Sequence, residues 1–500
     1  MTHPSTTPPA HAPGGAPPGI PGARTPGREP AAGGTAPPAA VPPRRAAAWR
    51  EAAARLRRAA RTEPGRLRAV GALLAGLLLA FGAVTAYQVQ DRSAAADTVR
   101  RTSQPLSTIA AEIYRSLADA NTTAVNGFLA GDGETAATRT AYRRDIAEAA
   151  GALARAASDT STSAESERYI ACLSRGLPVY SGLVEAARAN NRQRLPLGGA
   201  YLRYADDLMQ RGVPTALAAD TGAAPDCDAD GDGTDDGLLP TAEALYRLET
   251  ARFRDDLADA GSRPWAALAV GGAAVVVLVW AQRRHYLRTN RVLNPGLLAA
   301  TATTAVLLLW LAGAQTLSRA AHDDIRQGPA LSLPTLNDAR IAALKAHGDE
   351  SLALVARGGS DVFEDSYREA VRELGGADNG LLAQAAGLAG DEARAHITAA
   401  ADATETWRTR HNLSQAAERE GDYDGAVAFV IGAEESTQEA FHAVDTALGE
   451  AVAAEQDRFD AAADRARRSL TGLAAGAGVL GVLGTAAALS GMGRRLSEYR

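Results

Sequence analysis

The chain has 500 residues, 46% of them hydrophobic and only 5% aromatic, with a formal net charge of −6. A single lysine, Lys345, stands against 51 arginines, the bias of a GC-rich genome such as that of an actinobacterium. An acidic chain of this kind offers nucleic acid no polycationic surface, and four long apolar runs exclude an ordinary soluble multidomain protein.

Residues 1–43 are mostly Pro, Ala, Gly and Thr and bury too little apolar surface to offset ordering, so this tail is expected to be disordered. Over 44–68 the pattern changes. Trp49, Ala53, Leu56 and Ala60 share one helical face, ringed by Arg50, Arg57, Arg58 and Arg61. Such a basic amphipathic helix rests on anionic lipid headgroups. Transmembrane helices are predicted at 69–88, 264–282, 296–316 and 470–490, all free of Asp, Glu, Lys and Arg and close to the ~20 residues a span requires. Trp265, Trp280 and Trp310 lie near span ends, where amphipathic rings favour the interface.

Charge then orients the spans. Residues 1–68 hold 11 arginines against three glutamates, the connector 283–295 holds Arg283, Arg284, Arg288 and Arg291 with no acid, and the tail 491–500 is also basic. The segment between spans one and two has a net charge of −7, and that between spans three and four −13. The basic pieces share one side, as the positive-inside rule requires, so both termini and the connector are expected in the cytoplasm of a cell-membrane protein. The four arginines of the connector are candidate cytoplasmic contacts.

The segment 89–263 reads as helices throughout. Leu106, Ile109, Ile113, Leu117, Ala120, Ala124 and Leu129 recur at steps of three or four, placing one long helix directly after the first span. Gly131–Gly133 ends it; further helices are predicted at 136–158, at 164–190 with a kink at Pro178, from about Gly198, and over 240–260. The segment 317–469 repeats the plan. Tyr142-Arg-Arg-Asp-Ile146 is echoed by Tyr367-Arg-Glu-Ala-Val371, and the stretch from Tyr180 to Gly199 by that from Trp407 to Ala426. Gly328, Pro329 and Pro334 are expected to break the link from the third span. The fold class is therefore an all-α membrane protein with two extracytoplasmic antiparallel four-helix bundles, 89–263 and 317–469, arising from a tandem duplication.

One acidic loop stands out. Asp228, Asp230, Asp232 and Asp236 occupy positions one, three, five and nine of an EF-hand-like loop with Gly233 at the turn, but position twelve is Leu239 rather than Glu. Hard cations need several oxygen ligands, so these four aspartates are a candidate Ca2+ staple beside the plainer reading of a solvated loop. Cys172 and Cys227, the two cysteines of the chain, are a candidate disulfide in an oxidising compartment. Gly472 and Gly476, followed by Gly481 and Gly484, suggest close helix packing in the last span and the option of a homodimer. The eight histidines show no metal-ligand spacing, and His396 and His411 read as surface-polar. No Walker loop, nucleophile elbow or kinase signature occurs, so no enzyme activity is expected.

The span order, the paired bundles, the short inner pieces and stretches such as Asp119–Leu129 and Asn190-Asn-Arg-Gln resemble the GlnX-type four-span proteins of actinobacteria. The resemblance covers residues 67–492. It implies a relay that senses amino-acid availability through the extracytoplasmic binding lipoprotein GlnH and passes it to the cytoplasmic serine/threonine kinase PknG. Two other classes fit the same layout: a direct small-molecule receptor of chemoreceptor-sensor type, and an envelope scaffold.

Overall fold

In the computed structural model, residues 63–497 are described except for links at 132–133, 160–161, 194–196, 213–235, 261–264, 290–293, 357–360, 376–378 and 433. The tail at 1–43, expected to be disordered, and most of the basic amphipathic helix expected at 44–68 lie outside the described residues. Every regular element among the described residues is helical.

Helix α1 (Glu63–Thr98) carries the first apolar run and continues through a π-helical turn, Val99–Ser103, into α2 (Gln104–Leu129). The turn has a local cause. Pro105 lacks the N–H that would close the next α-helical bond, and the Gln104 N–H reaches five residues back to the Val99 carbonyl. Three antiparallel helices follow: α3 (Ala136–Ser158), α4 (Ala164–Arg192) and, after a short α5 (Leu197–Gln210) packed on α4, the returning α6 (Leu238–Ala260). Thr135 caps α3 by accepting from the Thr138 N–H, and Ser163 caps α4 by accepting from the Ser166 N–H. Helices α2, α3, α4 and α6 form the first bundle.

Helices α7 (Trp265–Thr289) and α8 (Pro295–Gln327) carry the second and third apolar runs. The second bundle consists of α9 (Pro329–Ala356), α10 (Asp361–Gly375), α12 (Asp391–Glu420) and α14 (Thr437–Leu470), with the short helices α11 (Leu381–Leu388) and α13 (Tyr423–Ile431) packed against it. The last run forms α15 (Leu473–Ser497). Four helices are thus long and apolar enough to cross a membrane, and the chain is an all-α multi-pass membrane protein. The expected break before the second bundle is smaller than the prolines suggested. Gly328 alone, at φ −116 and ψ −103, separates α8 from α9, and Pro334 lies inside α9 in its second turn.

The membrane helices pack in a ring, α1 on α15, α15 on α8, α8 on α7 and α7 on α1. Leu74, Leu78, Ala274, Leu278, Leu297, Ala300, Ala488 and Met492 fill one half of its interior. Two glycine pairs let backbones meet: a Cβ on Gly296 of α8 would stand 2.5 Å from the Gly491 Cα of α15, and one on Gly82 of α1 would stand 2.8 Å from the Ala477 carbonyl oxygen and 3.2 Å from the Gly481 Cα. The glycine motif in the last span therefore works differently from its spacing. Gly472 takes φ +80 in the link between α14 and α15, outside any helix–helix contact, while Gly476 faces the Trp310 ring and Gly481 makes the approach.

Above the ring, α2 of the first bundle packs on α9 of the second, and one buried core runs through both. The two bundles carry matching parts. Tyr142 and Tyr367 are buried on the second helices, and Tyr180 and Trp407 are fully buried on the third. The Tyr180 hydroxyl donates to Asn121 at 3.1 Å, and the Trp407 Nε1 donates to Glu350 at 3.1 Å. A buried glutamate of each fourth helix clamps the start of the third: Glu249 accepts from Ser166, and Glu455 accepts from the Gly390 N–H at 2.7 Å. Negative charge at a helix N-terminus is favoured by the macrodipole.

Candidate sensing core and membrane junction

The second bundle holds a charged cluster where the first has a nearly neutral one. On α12, His411 offers Nδ1 to Glu350 at 2.7 Å and Nε2 to Glu364 at 3.1 Å, with its ring stacked on Tyr367 at 3.7 Å. Burial opposes the imidazolium, but the hydrogen bonds and charges of Glu350 and Glu364 outweigh it and raise the His411 pKa to about 9. Burial would likewise raise the Glu350 carboxyl, yet the His347 ring 3.8 Å away and the hydrogen bond from His411 hold it down at about 2. A cation bonded to two carboxylates in a buried site is a fixed ion triad across α9, α10 and α12. In the first bundle the corresponding centre is Asn121, Tyr180 and Asp206, with Asn121 donating to Asp206 at 3.3 Å. Its cation is Arg188, which lies 4.1 Å over the Tyr142 ring and pairs with Glu134 at 3.1 Å.

The seam between bundles is polar on one flank. Gln104 of α2 donates to Gln456 of α14 at 2.6 Å, and the Tyr246 hydroxyl of α6 donates to the Pro334 carbonyl at 3.2 Å. Beside them lies a cavity of about 220 Å³, walled by Tyr114, Phe253, Ile341 and Leu344 and rimmed by Glu112, Arg115 and Arg340. Arg115 pairs with Asp119 and Glu148 at 3.2 and 3.1 Å, and Arg340 grips Asp445 with two bonds of 2.5 and 2.9 Å. Asp119 belongs to the first bundle and Asp445 to the second. Burial, then the Asp445 charge, push the Asp119 pKa up to about 7, against the pull of Arg115. This apolar-walled, dipolar cavity has the character of a site for a small ligand carrying both charges.

Where the bundles meet the spans, ion pairs tie the helices together. Arg100 in the π-turn pairs with Asp464 of α14 at 2.9 Å, Ser103 donates to Asp256 of α6, and Asp324 of α8 accepts from Arg458 and Arg465 of α14 at 3.3 and 2.8 Å. Phe253 and Phe459 meet edge to face beneath them, 5.8 Å apart. The junction is braced by both bundles.

The residues singled out in the sequence fall mostly outside these sites. Asp228, Asp230 and Asp232 lie outside the described residues, as does Cys227; Asp236 stands just before α6, partly exposed, and no metal-holding cluster occurs among the described residues. Cys172 is buried on α4, and no free cysteine occurs among the described residues. Arg283 is exposed at the end of α7, Arg284 lies 5.1 Å over the Trp280 ring, and Arg288 is in the last turn of that helix. Arg291 lies outside the described residues. Two histidines part company. His396 is partly exposed and paired with Glu450 at 2.9 Å, whereas His411, read as surface-polar, is buried in the ion triad. A sign was present: His411 follows Trp407 by four residues, one helical turn along the face that the Tyr180–Trp407 correspondence marks as core.

Residues 95–258, from the end of α1 through α6, match the family model of the actinobacterial sensor domain. That stretch is the first bundle, so the matched unit coincides with the described helical domain. No curated protein and no solved structure matches the chain.

Proposed function

We propose that this chain is a non-enzymatic transmembrane relay, with both bundles outside the cell membrane and both termini in the cytoplasm. The observation that carries the reading is the unbroken helical path from Glu63 through the π-turn to Leu129. At 1.5 Å per residue this path is about 100 Å long. One end adjoins the basic arm at 44–68, and the other lies in the seam where α2 meets α9. A tilt or axial shift of α2 against α9 therefore reaches the inner face without passing a flexible joint. The basic connector and tail, including Arg283, Arg284, Arg288 and Arg291, supply contacts for an acidic cytoplasmic partner, and the basic arm rests on anionic headgroups.

The finer reading follows the resemblance in sequence: an amino-acid-loaded binding lipoprotein acts on the bundles, and a serine/threonine kinase receives the signal inside. The match of the first bundle to a sensor domain supports sensing in general. Capture of full-length protein from membranes, with acidic amino acids present and absent, tests the partners. Recovery of a binding lipoprotein and a kinase, with amounts that change with the amino acid, is expected; recovery of neither in both conditions refutes the relay.

The cavity in the seam favours a second reading, direct binding of a small dipolar ligand. Purified full-length protein would then bind an amino acid with no binding protein present, and Arg340→Met would abolish that binding.

A further inference from the structure

A second cleft, of about 110 Å³, opens at the foot of the bundles between the outer end of α1, the end of α8 and the end of α14. Its depth is set by the apolar runs. Arg92 lies four residues beyond the first span, Arg319 three beyond the third, and Arg467 three before the fourth. All three sit at the level of lipid headgroups. The lining is strongly cationic: five arginines (92, 100, 319, 326 and 467) against Asp97 and Asp323.

Part of that charge is already spent. Arg100 and Arg467 reach Asp464 at 2.9 and 3.6 Å. Arg319 and Arg326, by contrast, are exposed and have no acidic partner among the described residues. Burial and the facing Arg319 guanidinium lower the Arg92 pKa, against the pull of Asp91. A neutral donor completes the set. Gln315 is only 6% exposed and accepts from Arg92 at 2.9 Å, yet its buried Nε2 has no acceptor. A buried donor left unmatched is unfavourable, and this one belongs to the lining of the cleft. The opposite wall is apolar, with Leu257, Phe459 and Leu470, and the neighbouring Leu317 is 65% exposed on the membrane side.

We propose that this cleft is a binding site for one anionic phospholipid. Its phosphate takes the arginines and the Gln315 amide, and its acyl chains lie along the apolar wall. The wall's continuity with the spans is what selects a lipid over a free phosphate. The site lies at the C-terminal end of α1, whereas the basic segment 44–68 precedes the first apolar run in sequence.

Native mass spectrometry of the full-length protein in neutral detergent tests this, with equimolar phosphatidylglycerol and phosphatidylcholine. A single phosphatidylglycerol adduct favoured by about tenfold is expected, the preference one or two guanidinium contacts supply. Arg319→Gln with Arg326→Gln, two exposed cations whose loss leaves the fold intact, should bring the two lipids to parity. Gln315→Leu should weaken the adduct and retain helical circular dichroism. Equal adducts in the wild type overturn the proposal. So does a preference unchanged in the double variant, which assigns the lipid to the basic arm. Displacement of the adduct by millimolar inorganic phosphate also overturns it, in favour of a soluble anion.

Discussion

His411→Gln removes the cation between Glu350 and Glu364, leaving Glu350 the Trp407 N–H at 3.1 Å and Glu364 its pair with the exposed Arg368 at 2.8 Å. Breaking a buried ion pair from one side typically costs about 3–5 kcal/mol. The pKa gives an independent scale: a rise from about 6.5 to about 9 corresponds to roughly 3 kcal/mol at about 1.4 kcal/mol per unit. The sign is fixed by linkage. Because the folded pKa of His411 is raised, its contribution is complete below pH ~6.5 and is lost as pH climbs through about 9. Glu350, depressed to about 2, contributes above its unfolded pKa of ~4.3 and loses that only in strong acid. Thermal unfolding of the full-length protein in detergent, followed by circular dichroism, should show a midpoint that falls between pH 7 and 9.5. His411→Gln should unfold several degrees lower at pH 6, at roughly 2 °C per kcal/mol, and lose most of that alkaline slope. A variant within 1 °C of the wild type at pH 6, or with the same slope, would falsify the triad as a stabilising unit.

Other consequences are more local. Gly82→Leu forces a side chain into the Gly481 backbone and should split the α1–α15 contact, measured as loss of an Ala86→Cys to Leu473→Cys cross-link or of detergent-stable fold. Arg188→Met leaves Glu134, only 9% exposed, with the longer 3.6 Å pair to Arg139 alone and should destabilise the first bundle by up to about 3 kcal/mol, whereas the exposed pair Arg408–Glu405 should tolerate Arg408→Ala within about 0.5 kcal/mol. Millimolar calcium is expected to give heat on titration through Asp228, Asp230, Asp232 and Asp236, and a flat isotherm rules that staple out. Cys172 and Cys227 should resist alkylation until the protein is reduced; an intact mass showing two labels without reductant removes the disulfide.

The spans and the helical class were legible because both depend on local composition: charge-free runs of span length and apolar steps of three or four need no tertiary information. Helix ends with a capping side chain were equally readable, and Thr135 and Ser163 begin helices where the pattern placed them. What escaped depends on which faces meet. The spacing from Trp407 is the one local mark of burial that His411 carries; it becomes an ion-triad centre because Glu350, 61 residues earlier, occupies the place that Asn121 holds in the first bundle. Gly472 misled for a related reason. Its spacing to Gly476 fits a packing motif, but its φ of +80 is what the link between two helices requires. The seam cavity and the cleft at Arg319 combine helices from opposite ends of the chain, so neither forms a motif.

The π-turn at Val99–Ser103 has an effect that reaches beyond its own five residues. In an α-helix each residue advances the azimuth by about 100°, so a continuous rod locks the face that packs in the bilayer to the face that packs above it. One surplus residue between them resets that phase. The surface of α1 that meets Gly481 and the surface of α2 that meets α9 can then each be optimised separately on a single shaft, which works as a keyed coupling rather than a hinge.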